Sequence, residues 1–300
     1  MIQVAVLSGK GGTGKTVMTG ALAEVLPGKK VFADCDVEAA NLALLLSPRE
    51  RVRLPFFGLK KATIEQELCV ACGLCVHACR FGAIRAGTGG LFSVDPVRCE
   101  GCGVCAGICP EKAIVLQENQ DGEIIVSDTD LGPLVYAELK PGSGNSGLLV
   151  HEVKKAAQKE VRDHDLVLID GPPGIGCPVI STMSGIDIAV IVTEPGIAAM
   201  HDLRRLVTVS RGFSLSLYAI INRADLHEGY ARTIERFCAG EGIPLLGKVP
   251  FDPTVLAAVR KGVPVTRYGS PAAVALREIG AKLAGILAWQ AQGRLQGQNE

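Results

Sequence analysis

Apolar residues in this chain gather in short runs rich in β-branched side chains. "IQVAVL" (2–7), "LVLID" (166–170) and "IAVIVT" (188–193) show almost no polar alternation, as expected of strands buried on both faces. "VFADCD" (31–36) and "LYAIIN" (217–222) carry the same signature with polar interruptions. Between them "TVMTGALAEVL" (16–26) and "AMHDLRRLVTVSR" (199–211) follow a helical period. Strand alternating with helix predicts an α/β fold with a mainly parallel sheet, covered by helices on both faces. The run "SPAAVALREIGAKLAGILAWQAQ" (270–292) predicts a closing helix, with Ser270 as N-cap and Pro271 in its first turn. Its Ala, Leu and Gly content assigns it to packing and not to a basic, membrane-surface helix.

One segment breaks the rhythm. From about 58 to 117 the chain is loop-rich, and it holds most of the cysteines. After it, "GEIIVSDTDLGPLVYAEL" (122–139) predicts paired strands, "KPGSGNSG" (140–147) a loop and "LLVHEVKKAAQKEV" (148–161) a helix. The expected organisation is one α/β domain, residues 1–57 and 118–300, with residues 58–117 inserted as a second domain.

Composition narrows the partners. Lys plus Arg is 31 and Asp plus Glu is 31, so the net charge is zero and no dense basic run appears. No field favours nucleic acid or an anionic membrane. The opening strand lacks the basic flank of a leader, and no apolar stretch is long enough to span a bilayer. The expectation is a cytoplasmic protein without nucleic-acid partners or stable membrane anchoring. Disulfides are rare in that compartment, so the 11 cysteines need another explanation.

Their spacing supplies one. Cys69, Cys72, Cys75 and Cys79 recur thirty positions later as Cys99, Cys102, Cys105 and Cys109, giving C-x2-C-x2-C-x3-C twice. A zinc site ordinarily uses two separated C-x-x-C pairs, and a disulfide knot belongs to an oxidising compartment. Three thiolates at tight loop spacing instead suit three irons of a cubane, with small residues such as Gly73, Gly101 and Gly103 letting the backbone wrap it. The duplicated run resembles bacterial two-cluster ferredoxins. In that motif the fourth cysteine ligates the other cluster. The resemblance therefore implies an inserted bacterial-ferredoxin-like α+β module with two [4Fe–4S] clusters. One would use Cys69, Cys72, Cys75 and Cys109, and the other Cys79, Cys99, Cys102 and Cys105. The fourth cysteine of each run is expected to start a helix, and Arg80 stands where proline usually follows the first run.

The other motif is "GKGGTGKT" (9–16), a G-x-x-x-x-G-K-T loop between a predicted strand and a predicted helix. Backbone N–H groups at Gly11, Gly12, Thr13 and Gly14 would approach phosphates, Lys15 would reach the β- and γ-phosphates, and Thr16 would bind Mg2+. With Lys10 in front, "KGGTGKT" resembles the deviant Walker A loop of the MinD, ParA, Mrp and nitrogenase iron protein superfamily. That resemblance implies a P-loop ATPase binding ATP or ADP, in which Lys10 crosses a dimer to the partner's nucleotide. It also matches Asp36 to the carboxylate that positions attacking water near Mg2+, with Asp34 as a weaker candidate. Asn41 matches a position that contacts the dimer partner. Asp170, ending "LVLID", matches the carboxylate that holds a Mg2+-bound water. Asn222 matches the adenine-reading asparagine, and "VPFDP" with Pro250 and Asp252 matches the loop that closes over the base.

Two departures from that superfamily shape the functional expectation. Cys177 stands where a dimer-bridging cluster ligand would fall in the nitrogenase iron protein, but Asn145 stands at the second such position. No late C-x-x-C pair follows, as Mrp-type carriers would have. His77 is expected at the surface, because four cysteines already satisfy a cubane. His151, His164, His201 and His227 form no ligand spacing and are expected to be structural, and Met183 and Met200 to be core residues. The implied function is ATP hydrolysis that switches a homodimer, or a heterodimer with a similar ATPase. The switch would be coupled to electron transfer or to metallocluster assembly on a redox or cluster-accepting protein. The alternative is a ParA- or MinD-like positioning protein whose clusters are structural.

Overall fold

The computed structural model describes residues 1–87, 90–162 and 166–297. His164 lies outside the described residues. In chain order the elements begin with β1 (Ile2–Ser8), α1 (Lys15–Val25), β2 (Lys30–Asp34), α2 (Ala43–Leu46) and β3 (Arg49–Phe57). The cysteine segment contributes β4 (Lys61–Ile64), α3 (Leu74–Ala78), β5 (Ile84–Ala86), β6 (Phe92–Val94), α4 (Val104–Ile108) and β7 (Ile114–Gln117). Then follow β8 (Gln120–Thr129), β9 (Gly132–Leu139), α5 (Ser146–Glu160), β10 (Leu166–Pro173), α6 (Cys177–Met183), β11 (Ile188–Thr193) and α7 (Ile197–Ser210). The chain ends with β12 (Ser216–Asn222), α8 (Glu228–Gly240), β13 (Leu245–Val249), α9 (Pro253–Arg260) and α10 (Pro271–Gly297).

The chain divides into two compact units. One comprises Met1–Arg53, Ile124–Ala137 and Ser146–Glu300, and the other Leu54–Glu123 and Glu138–Asn145. The larger unit is built on a nine-stranded sheet, ordered β13-β12-β11-β1-β10-β2-β9-β8-β3. Its strands from β13 to β9 pair in parallel. The unbroken apolar runs occupy its centre: every residue of β1 and β11 is buried. Ile2, Val4 and Val6 point to one face, where they join Leu22 and Leu26 of α1 and Leu276, Ile279 and Leu283 of α10 in a single cluster. Burying each such side chain contributes roughly 1.5–3 kcal/mol. The α10 N-terminus forms as expected, with the Ala273 N–H donating to Ser270 Oγ at 3.4 Å. Met183 and Met200 are buried in this unit.

Parallel strands leave all their carboxyl ends on one edge, the place where open α/β sheets bind ligands. Here the carboxyl ends of β1, β2, β10 and β12 deliver the phosphate-type loop, Asp34, Asp170 and Asn222 to that edge.

The smaller unit has an internal two-fold relation that follows the thirty-residue repeat. Each of its two-stranded antiparallel sheets takes one strand from each half: β4 pairs with β7 and β5 with β6. The pair Ile64↔Ile114 in the first corresponds to Val94↔Ile84 in the second. The connecting hydrogen bonds repeat as well: Glu65 N–H donates to Ala113 O and Asp95 N–H to Ala83 O, both at 2.7 Å. The helices α3 and α4 begin after Gly73 and Gly103, each at φ 75. One expectation is corrected here. Cys79 and Cys109 do not start helices; each ends one, in extended backbone. The left-handed glycine starts the helix early, inside the cysteine run, so its five residues are spent by the fourth cysteine.

Candidate functional site

The loop after β1 turns into α1 at Gly14, at φ +91. A Cβ there would stand 2.5 Å from Asn222 Nδ2, so only glycine fits both the backbone and the contact. Lys15 is the first residue of α1 and is buried. Its Nζ lies 3.4 Å from Asp170 Oδ1 and 3.5 Å from Asp36 Oδ2. Thr16 donates from Oγ1 to Asp170 Oδ2 at 2.7 Å, and Thr19 donates to Asp170 Oδ1 at 2.9 Å. Asp34, paired in register with Asp170, accepts from the Asp36 and Leu42 amides. Burial alone would lower the Lys15 pKa, but attraction to Asp170, Asp36 and Asp34 raises it. Burial raises Asp34, and the nearby Asp170 charge adds to the effect. Burial likewise raises Asp36, against the pull of Lys15. Three carboxylates around one ammonium and two hydroxyls form a site short of positive charge. That donor set suits a divalent cation held beside phosphates. The buried Thr13 hydroxyl has no hydrogen-bond partner among the described residues, and it sits in the same loop.

The remaining nucleotide candidates are placed less uniformly. Lys10 is half-exposed and pairs with Glu194 of its own chain at 2.6 Å; Arg223 holds the other carboxylate oxygen at 3.0 Å. Gly11 and Gly12 are exposed at the loop's tip. Asn41 is exposed, and its amide donates to Ala39 O. Asn222 donates to Thr13 O at 2.7 Å and so braces the loop. Pro250 borders a surface cavity with Ala224, Asp225 and Lys248. Asp252 caps two helices, accepting from Thr254 N–H at the start of α9 and from Ala272 N–H at the start of α10. Burial pulls its pKa up, but the Ser270 hydroxyl and these amides outweigh it and set it at about 2. Both its oxygens are therefore committed to backbone.

The cysteine unit holds two small cavities walled by its cysteines. Cys69, Cys72, Cys75 and Cys109 line one, with Phe92 and Glu111. Cys79, Cys99, Cys102 and Cys105 line the other, with Phe81 and Glu100. Each wall thus joins three thiols of one run with the fourth of the other. Among the described residues no three His, Cys, Asp or Glu side chains converge as a single-ion site; the thiols surround a volume. Each fourth thiol also accepts a backbone N–H, Ala83 to Cys79 Sγ at 3.4 Å and Ala113 to Cys109 Sγ at 3.3 Å. The donor set, cavity and amides fit a cubane in each place. His77 is exposed and lines neither cavity.

Cys177 is an exposed thiol at the first turn of α6. His227 is an N-cap, accepting from the Tyr230 amide. Sequence reasoning missed Thr19, although it falls one turn after Thr16 on the same helix face. It also missed Glu194, which follows β11 in a loop with no motif around it, and Lys61, whose buried amine donates to Cys99 O.

Residues 4–265 match the CbiA family, the CobQ/CobB/MinD/ParA nucleotide binding domain. The chain belongs to this family. Within reach of the CbiA match stands an uncharacterised protein of Methanocaldococcus jannaschii, 29% identical over 285 residues and covering 94% of this chain and 96% of that one. The iron-sulfur cluster carrier protein of Pyrococcus horikoshii is 26% identical over 300 residues, covering 94% and 85%. Among solved structures, the septum site-determining protein MinD complexed with Mg-ADP, also from Pyrococcus horikoshii, superposes with TM-score 0.57 at 22% identity over 95% of this chain and 98% of that one. The CbiA-family chain therefore has the MinD-like α/β P-loop fold. Among the described residues no helix is long and apolar enough to cross a membrane.

Proposed function

We propose that this chain is an ATP-binding and ATP-hydrolysing iron–sulfur protein in which a nucleotide-switched dimer is coupled to electron transfer, or to metallocluster assembly, on a partner protein. The observation that carries the iron–sulfur half is the crossed wall of the two cavities, three thiols from one run and one from the other. In support, one relative is named an iron-sulfur cluster carrier protein. The ferredoxin-like module is residues 58–117, within the smaller unit.

The nucleotide half rests on the charge-poor site. Amides of the 9–16 loop and Lys15 would bind phosphates, and Thr16, Asp36 and Asp170 would hold Mg2+. Lys15 now shares its charge between Asp170 and Asp36, so it is poised to exchange carboxylate for phosphate. Asp36 would orient the attacking water. Lys10 would leave Glu194 to reach the nucleotide of a dimer partner, either a second copy or a similar ATPase. When bound, Mg2+ would neutralise phosphate charge and the clusters would exchange single electrons. The likeness to septum-site proteins stands at 22% identity and carries the fold, so the positioning alternative gains nothing from it.

The test is anaerobic purification, iron and acid-labile sulfide assay, and ATPase measurement with the protein oxidised and then reduced. About eight irons per chain and an ATPase rate that depends on redox state are expected. Zinc in place of iron removes the cluster half. Iron-replete protein whose ATPase, redox behaviour and partner capture ignore one another removes the coupling.

A further inference from the structure

The internal two-fold of the cysteine unit makes its two cavities nearly equivalent, so what breaks the equivalence is informative. Several influences cancel. Each cavity has one exposed thiol at its second cysteine, Cys72 or Cys102. Each has one glutamate on its wall, Glu111 or Glu100. Each has one backbone amide donating to its borrowed sulfur, at 3.3 and 3.4 Å.

Lys61 does not cancel. Among the described residues of this unit it is the buried cationic side chain, and its amine donates to the Cys99 carbonyl. Thirty residues on, its counterpart is Leu91, which is exposed and uncharged. The position of Lys61 is built in by packing. The segment before it lies against the second cysteine run: a Cβ on Gly101 would stand 2.4 Å from Lys60 O. The counterpart of Gly101 is Ala71, which keeps a side chain at φ 56. The exposed charges lean the same way in the main. Arg98 precedes Cys99 and Arg80 follows Cys79, where the other half has Leu68 and Pro110; Lys112, near Cys109, opposes them. These lie in water and are screened, whereas Lys61 is not.

Building on the two-cluster reading, we propose that Lys61 makes the two clusters unequal, so that the one held by Cys79, Cys99, Cys102 and Cys105 is reduced first. Each cluster takes one electron from a low-potential one-electron donor, passing from [4Fe–4S]2+ to [4Fe–4S]1+ with no proton required. The added electron is stabilised by the nearby ammonium, which raises the potential of that site alone. Electrons entering the chain therefore settle at the Cys99 side. Lys61 acts as a positioning residue for charge and touches no reacting group.

The test is an EPR-monitored redox titration of the anaerobically purified full chain. Two one-electron steps are expected. Lys61→Gln keeps a hydrogen-bond donor and removes the charge; it should lower the upper step by about tenfold in its reduction equilibrium, ~59 mV, and leave the lower step in place. Lys61→Arg should restore the upper step. Wild-type protein gives a second measurement that needs no variant. At half reduction, paramagnetic NMR should show the larger shift at Phe81, on the Cys99-side wall, and the smaller at Phe92, on the other. A single unresolved step, equal movement of both steps, no movement in iron-replete Lys61→Gln, or the larger shift at Phe92 overturns the proposal. A wild-type chain without iron overturns the two-cluster reading as well, and iron assay tells that failure apart from the others.

Discussion

The largest fully buried side chains of the P-loop unit are apolar: Phe32, Leu7, Met18, Leu22 and their neighbours. In the cysteine unit the buried cluster is small residues and isoleucines, Ala62, Ile64, Ala83, Ile84 and Ile114, together with Cys75 and Cys99. Its partly buried rim adds Cys69, Cys79, Cys105 and Cys109. The first unit closes around a sheet and two helix layers, and its ligand site lies at an edge. The second closes around its own candidate ligands, so on the proposed reading its folding would be coupled to cluster binding. The same contrast appears in the thiols. Cys35, in the P-loop unit, is fully buried and burial pushes its pKa far up, as befits a packing residue. Burial also raises Cys75 and Cys105, but backbone amides pull against it.

The largest effect expected from this contrast is selective collapse. Chelation, or Cys99→Ser, should strip the cysteine unit of its ligand-linked stabilisation, opening residues 54–123 to limited proteolysis. Nucleotide binding by the P-loop unit should survive. Cys177→Ser, at an exposed position, should leave iron content unchanged. If both units melt together, or if Cys99→Ser resists protease like wild type, the contrast is wrong.

The reverse perturbation is Lys15→Gln. Removing the ammonium deletes charge-assisted bonds worth about 3 kcal/mol, on the order of a hundredfold in nucleotide affinity. Isothermal titration with ADP should show that loss, while iron content stays at the wild-type level. An unchanged affinity would mean that the loop is not the nucleotide site.

Legibility followed the same division. The sheet was readable because strands buried on both faces cannot hide their apolar runs, and the loop because Lys15 and Thr16 need a fixed place at a helix start. The thirty-residue repeat was readable as a duplication, but the exchange of strands between its halves, Ile64↔Ile114 and Val94↔Ile84, was not, because strands of three or four residues carry too little alternation to stand out from loop. The helix position was not readable either, because a left-handed glycine ahead of Leu74 or Val104 decides it and no cysteine spacing reports that conformation. Glu194 and Lys61 escaped for a different reason. Each matters through long-range contacts, Glu194 with Lys10 and Arg223 and Lys61 with Cys99 O, that leave no local pattern.

Asp252 gives a smaller effect, confined to the P-loop unit. Asp252→Ala removes caps from α9 and α10 together, about 1 kcal/mol each, lowering that unit's Tm by roughly 4–8 °C. Its carboxyl is held at about 2, below its usual range. The stabilisation is therefore present above the ordinary carboxylate pKa and fades as pH falls towards about 2. Calorimetry on wild type and variant should show curves that converge in acid. Loss of iron in the variant would contradict the separation of the units.

The smallest effect runs with the opposite sign in the same unit. Asp34 is fully buried beside Asp170, so its pKa is raised by burial and by that charge; its bonds from the Leu42 and Asp36 amides and the charge of Lys15 restrain the rise. A carboxyl raised on folding binds more protons in the native state than in the unfolded one. It adds stability below the unfolded carboxylate pKa and loses it as pH climbs through the folded value. In protein stripped of Mg2+ and nucleotide, the P-loop unit should lose stability across the rise from acid to neutral pH. Asp34→Asn should flatten that slope. Adding Mg-ADP should cancel it in wild type, because a bound dication reverses the penalty on neighbouring carboxylates. Thermal melts across pH, with and without Mg-ADP, decide the matter: a slope that ignores both the asparagine and the dication would place its source outside the carboxylate cluster.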